Sequence, residues 1–228
     1  MSAIVTTQEK TRNLFYSVFG WMTIALSITG GWAYVIASRP HWIGALITKP
    51  YLGLTVLITQ LVVVIVFSTL LPRLSYTSAL MLFLAYAALS GTTLSIIFIR
   101  YSLPSIIQTL FITGGMFASV GLYGYVTKSD LSQLRSILLM ALWGMILALL
   151  VNIFVRSSAL STLISIVGVV LFSALTAYDI QKIKRLSEKE HFDQEGYAKI
   201  GLYGALILYL DFINLFLSLL NLGGRRRN

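Results

Sequence analysis

Two aspartates stand where a chain built for lipid has no ordinary use for charge. Asp179 lies in VGVVLFSALTAYDIQKI and Asp211 in GALILYLDFINLFLSLL. The other six of the eight acidic residues, Glu9, Asp130, Glu188, Glu190, Asp193 and Glu195, fall in tails or loops where water solvates them. A carboxylate at mid-bilayer costs about 2.5–3.5 kcal/mol on insertion scales, so two on neighbouring segments point to a working site. Two carboxylates a few ångströms apart do not both ionise cheaply and titrate as one unit. Ionised, and joined by carbonyl, hydroxyl and water oxygens, they suit a hard cation such as calcium; protonated, they do not. Asp179 and Asp211 are therefore expected as the working pair, able to hold a hard cation such as calcium when ionised.

Their neighbours extend the pattern. On the last apolar segment Gly204, Asp211, Asn214, Ser218 and Asn221 share one helical face, and on the segment before it Ser165, Gly168, Phe172, Thr176 and Asp179 do the same. Polar groups on such a stripe lack partners in lipid, so the stripes are expected to face the bundle interior, with Thr176, Asn214, Ser218 and Asn221 lining a polar route. Arg73, just after Pro72 at the end of the second apolar segment, is the candidate counter-ion. A buried acid that serves only as a helix–helix hydrogen-bond partner is the structural alternative.

Elements of membrane length must position these groups. The chain has 228 residues, 57% hydrophobic and 11% charged, with a mean hydropathy of +0.84. Soluble domains carry roughly 25% charged residues, so this is an all-α integral membrane protein. Apolar periodicity and charge-free intervals predict seven transmembrane helices near 14–37, 51–71, 76–99, 103–126, 134–155, 160–183 and 200–222. Short loops make residues 1–228 a single seven-helix domain, with an N-terminal tail at 1–13 and a basic C-terminal tail at 223–228. The first helix is expected to be retained rather than cleaved as a signal peptide. Only Lys182–Lys199 is expected to extend into solvent, as a helical extension with a turn at Gly196.

With no cysteine, thiolate chemistry and disulfides are excluded, and two histidines, His41 and His191, placed in loops, do not make a zinc site. The net charge of +9 is scattered among loop ends, which fits the surface of a lipid bilayer and not nucleic acid. With the N-terminus inside, the inner segments hold Lys10, Arg12, Arg73, Lys128, Arg135, Lys182, Lys184, Arg185, Lys189 and Lys199. The outer loops hold Arg39, Lys49, Arg100 and Arg156, so counting basic residues places the N-terminus in the cytoplasm. The tail Arg225, Arg226 and Arg227 argues the other way, leaving seven full crossings as the favoured reading and a re-entrant last segment as the alternative.

The stretches LYLDFINLFLSLLNLGG (Leu208–Gly224), LTAYDIQKIK (Leu175–Lys184), SGTTLSIIFI (Ser90–Ile99) and GMFASVGLYGYVTKSDLS (Gly115–Ser132) resemble the transmembrane Bax inhibitor motif (Bax inhibitor-1) family. The resemblance is greatest to its bacterial inner-membrane members. It implies a last helix enclosed by the other six and a pH-sensitive calcium leak with no cofactor, calcium being the permeant ion. It implies a di-aspartyl proton sensor at Asp179 and Asp211, with Arg73 as the arginine that latches the closed state. Some members carry a glutamate in the second helix, where this chain offers only Gln60.

The resemblance also implies a second class of function, a membrane interaction protein that modulates an FtsH-type AAA protease through surfaces such as Met1–Arg12 or Lys182–Lys199. A third class is an intramembrane aspartyl protease, since Tyr178–Asp179 and a second membrane acid provide an acid/base pair. The chain reads Leu208-Tyr209-Leu210-Asp211 in place of Gly-x-Gly-Asp, so it is expected not to be an enzyme.

Overall fold

Within hydrocarbon only helix satisfies every backbone group inside one segment, and the chain obeys this throughout. The computed structural model describes residues 7–189, 193–225 and 227. Its helices are α1 (Thr7–Ala37), α2 (Pro40–Thr48), α3 (Pro50–Leu70), α4 (Tyr76–Leu94), α5 (Ile97–Arg100), α6 (Leu103–Val126), α7 (Arg135–Val155), α8 (Ser158–Lys189) and α9 (Gln194–Gly223), with no strand among the described residues. Seven spans are long and apolar enough to cross a membrane, α4 and α5 counting as one.

Local chemistry sets the ends. Pro40 and Pro50 open α2 and α3 at the position where a missing N–H costs nothing. The Ser75 hydroxyl caps α4 by accepting from Ser78 N at 3.2 Å. Arg156 adopts the left-handed conformation (φ 53°) after α7, and Asn152 Oδ1 accepts from Ser157 N at 3.0 Å, so the chain reverses into α8 within two residues.

Four expectations are corrected. The connection after α1 contains the nine-residue helix α2, with His41 inside it; at about 1.5 Å per residue it is too short to span. The helix expected over 76–99 stops at Leu94, because the Thr92, Thr93 and Ser95 hydroxyls bond the carbonyls of Ala88, Ser90 and Thr92 and compete with the helical ladder. The break expected at Gly196 lies earlier: Asp193 Oδ1 accepts from Gly196 N at 2.8 Å and Asp193 O from Tyr197 N at 3.0 Å, capping α9 and drawing Gly196 into its first turn. The N-terminal tail is shorter than 1–13, since α1 is already helical at Thr7. Met1–Thr6, Glu190, His191 and Arg226 lie outside the described residues.

The chain divides into two compact units. The first comprises Met1–Tyr101, Ser187–Tyr209 and Arg227–Asn228. In it α1 and α4 touch backbone to backbone at Gly91, where a Cβ would stand 2.7 Å from Thr29 O. The first half of α9 packs on α1 at Gly201, where a Cβ would meet Ser17 Oγ at 2.8 Å. Glu195 Oε1 accepts from Tyr76 N at 3.1 Å, joining the starts of α4 and α9, and the Thr11 and Ser187 hydroxyls bond at 2.8 Å, joining the start of α1 to the end of α8. At the other end Arg227 N donates to Arg100 O at 2.9 Å. The tail therefore ends opposite Thr11, and α9 is one uninterrupted helix, so the re-entrant alternative is set aside.

The second unit comprises Ser102–Leu186 and Leu210–Arg226. Gly124 lies directly on Ala177 O, and a Cβ on Gly121 would stand 2.8 Å from Ile180 Cδ1, so α6 and α8 approach as closely as backbones allow. Phe117 and Phe212 rings lie 5.4 Å apart, joining α6 to α9. Ser102 N donates to Arg225 O at 3.1 Å and Arg225 N to Ser105 Oγ at 2.9 Å.

Burial separates the helices by role. Over its apolar stretch α9 is 56% buried, against 6% for α3 and 11% for the α7 span. The last helix is thus the most buried of the seven spans, while α3 and α7 leave most of their side chains exposed.

Candidate functional site

The site lies in the second unit, on α8 and the second half of α9. Thr176 and Asp179 are one turn apart on α8, and both are buried. Asp211 lies well inside α9 with 5% of its surface exposed. The charges of the two aspartates act on each other, so the pair foreseen from the sequence is brought together. Asp211 Oδ2 is buried with no hydrogen-bond partner among the described residues. A buried carboxylate oxygen without a donor is costly to keep in any fold. Its lone pairs remain available to a proton or a cation.

The surrounding polar groups add a chemical sign. Thr176 Oγ1 donates to Phe172 O at 2.7 Å, Ser218 Oγ to Asn214 O at 2.8 Å, and Asn214 Nδ2 to Leu210 O at 2.8 Å. The two hydroxyls spend their only proton on their own helix, so their remaining capacity is as acceptors. Further along the same helix pair Asn221 Nδ2 donates to Ser165 Oγ at 2.6 Å and Ser161 Oγ at 3.1 Å, and Gly168 lies against Ser218 Oγ. The two stripes therefore face each other. An α8–α9 seam of oxygen acceptors with a carboxylate pair on it suits cations and repels anions.

One end of the site is tied down. Gln181, buried two residues after Asp179, donates to Ser129 O at 2.8 Å and accepts from Leu131 N at 2.9 Å, fastening α8 to the α6–α7 connection. Arg185 Nη2 pairs with Asp130 Oδ1 at 2.7 Å, and Lys184 Nζ donates to Tyr125 O at 3.0 Å while lying 4.7 Å from the Tyr125 ring centre.

These residues sit on a recognisable sequence. The family described as Inhibitor of apoptosis-promoting Bax1 matches residues 11–228. The chain belongs to the Bax inhibitor-1 family. It is 43% identical over 226 residues to the inner membrane protein YbhL of Escherichia coli K12, covering 99% of this chain and 97% of that protein. It is 43% identical over 227 residues to an uncharacterized protein of Borreliella burgdorferi, covering 97% and 98%. An uncharacterized protein of Deinococcus radiodurans is 40% identical over 230 residues, covering 99% and 98%.

In this Bax inhibitor-1 chain the remaining sequence candidates fall in different places. Arg73 lies in the first unit, exposed, in the turn after α3, where its N donates to Leu70 O at 2.8 Å. The residue that sequence reasoning missed is Lys182. It is half-buried three positions after Asp179 on α8, on the same face, and its ammonium acts by charge on both Asp179 and Asp211. The signal was present as the i, i+3 spacing in Asp179-Ile180-Gln181-Lys182, but Lys182 reads from sequence as the first residue of a solvated loop. Ser161 was missed as well, since only the fold shows that Asn221 reaches it.

For a metal ion the protein supplies two carboxylates. Among the described residues no group of three or more His, Asp or Glu gathers anywhere. A calcium ion at Asp179 and Asp211 would complete its shell with carbonyl, hydroxyl and water oxygens.

Proposed function

We propose that this multi-pass membrane protein is a pH-sensitive, calcium-permeable leak whose gate is the Asp179–Asp211 pair, set in a bacterial inner membrane with its N-terminus in the cytoplasm. The observation that carries this reading is Asp211 Oδ2, a carboxylate oxygen buried without a hydrogen-bond partner beside a second acid. A helix pair built only for packing gains nothing from it, whereas a site that exchanges a proton for a cation needs that lone pair unclaimed.

Ionised, the pair attracts a divalent cation into the α8–α9 seam, where the oxygens of Thr176, Asn214, Ser218 and Asn221 are the proposed stations. Protonated, it offers no charge to hold one. Transition between these states requires no cofactor and no covalent step.

The test is calcium flux into dye-loaded proteoliposomes from about pH 5 to about pH 8, for the native chain beside Asp179→Asn and Asp211→Asn. Flux that varies with pH in the native protein and is abolished or locked in both variants is the expected result. Absence of flux at every pH from folded protein overturns the reading.

A further inference from the structure

The end of the first unit opposite Thr11 carries bases without acids. Its basic residues are Arg39, Lys49, Arg100 and Arg227, whereas the described acids of the same unit, Glu9, Glu188, Asp193 and Glu195, lie at the Thr11 end of their helices or in the connection there. The salt bridges among the described residues, Arg185–Asp130 between α8 and the α6–α7 connection and Lys199–Glu195 in the first turns of α9, both lie far in sequence from these bases. Among the described residues of this unit, no side-chain carboxylate is placed to balance this end.

The fold nevertheless draws two of these arginines together. Arg227 N donates to Arg100 O at 2.9 Å, so the tail backbone is fastened to the residue that closes α5, and both side chains are exposed. Two like charges held in one short backbone register repel unless an anion lies between them. The depth of the pair is marked by aromatic residues: Trp32 and Trp42 rings lie 6.3 Å apart, Arg39 sits 4.7 Å from the Trp42 ring centre, and Tyr34 packs edge-on against Phe98, two residues before Arg100. Tryptophan and tyrosine collect at the headgroup layer, so Arg100 and Arg227 stand at the level of lipid phosphates.

We infer that Arg100 and Arg227 form a binding site for the phosphate of an anionic phospholipid. Planar guanidinium forks take phosphate oxygens two at a time, and a phosphodiester of the bilayer is the abundant anion at this depth. The lipid supplies the negative charge that the described side chains do not place at this end, and it would hold the tail against the α5–α6 connection.

The experiment uses the full chain in mixed lipid–detergent micelles and counts retained lipid by native mass spectrometry, with phosphatidylglycerol and phosphatidylcholine as probes. The native chain is expected to retain phosphatidylglycerol preferentially, and Arg100→Gln with Arg227→Gln to lower that retention roughly tenfold. Arg100→Lys with Arg227→Lys keeps the charge but not the fork and is expected to fall between the two. Arg39→Gln with Lys49→Gln removes the same charge from the same end and is expected to leave retention unchanged. Equal retention of the two lipids, or equal loss in both double glutamine variants, overturns the site. Displacement of phosphatidylglycerol by inorganic phosphate at comparable concentration assigns the pair to a free anion and overturns the lipid reading. Native gel-filtration profiles of all variants separate these outcomes from misfolding.

Discussion

The Tyr209 hydroxyl and Thr29 Oγ1 lie 2.8 Å apart, and Thr29 Oγ1 donates its one proton to Ala87 O, also at 2.8 Å. Tyr209 must therefore be the donor in its bond to Thr29. Ser90 lies beside the hydroxyls of Tyr209 and Tyr86, so a buried polar cluster ties α9 to α1 and α4 inside the first unit. It fixes the rotation of α9 two residues before Asp211.

Tyr209→Phe keeps the ring, which lies 6.2 Å from Phe83 and 5.9 Å from Tyr86. It leaves the Thr29 bond to Ala87 O intact and removes the Tyr209 hydroxyl with its bond to Thr29. The expected cost is about 1 kcal/mol, read as a lower denaturation midpoint in detergent. Thr29→Val, which strips a buried carbonyl and a phenol of their partner together, is expected to cost more. Equal stability of both variants and the native chain would show the polar cluster to be incidental.

Lys182 is the ammonium nearest in sequence to the carboxylate pair. If the leak reading holds, Lys182→Gln removes a cation that favours the ionised pair, and the flux–pH midpoint moves toward alkaline pH by about one unit, or ~1.4 kcal/mol. Lys182→Arg keeps the charge and is expected to restore the native midpoint. A curve unmoved by Lys182→Gln would remove Lys182 from the gate.

Asp130 gives a second titration, outside the membrane. Its carboxylate accepts from Ser132 Oγ at 2.7 Å and Ser132 N at 2.9 Å and pairs with Arg185, which together lower its pKa from 3.8 to about 2. A depressed folded-state value means that its stabilising contribution is present above the unfolded value of 3.8 and is lost as pH falls through about 2. Ser132→Ala removes the first of these causes, and the Asp130 midpoint followed by carboxyl NMR is expected to rise toward 3.8. The pair is exposed, so the effect on overall stability is small.

The number of spans and the identity of the two membrane acids were legible from the sequence, because hydropathy over roughly 20 residues and the cost of burying charge are local properties of each segment. The facing polar stripes could be read too, since helical periodicity puts Asp211, Asn214, Ser218 and Asn221 on one side before any partner is known. Capping and side-chain competition were harder to see: α4 stopped at Leu94 and α9 begun at Gln194 under the Asp193 cap depend on single hydrogen bonds that compete within a fraction of a turn, and the short α2 was hidden in a loop. Tertiary structure alone decided that Asp211 Oδ2 has no donor, that Lys182 belongs with the acids, that Asn221 clasps Ser161 and Ser165, and that Arg227 returns to Arg100. Each of these is a meeting between residues that are distant in sequence or separated by a helix end, and no pattern within one segment encodes which atoms of another will come to face it.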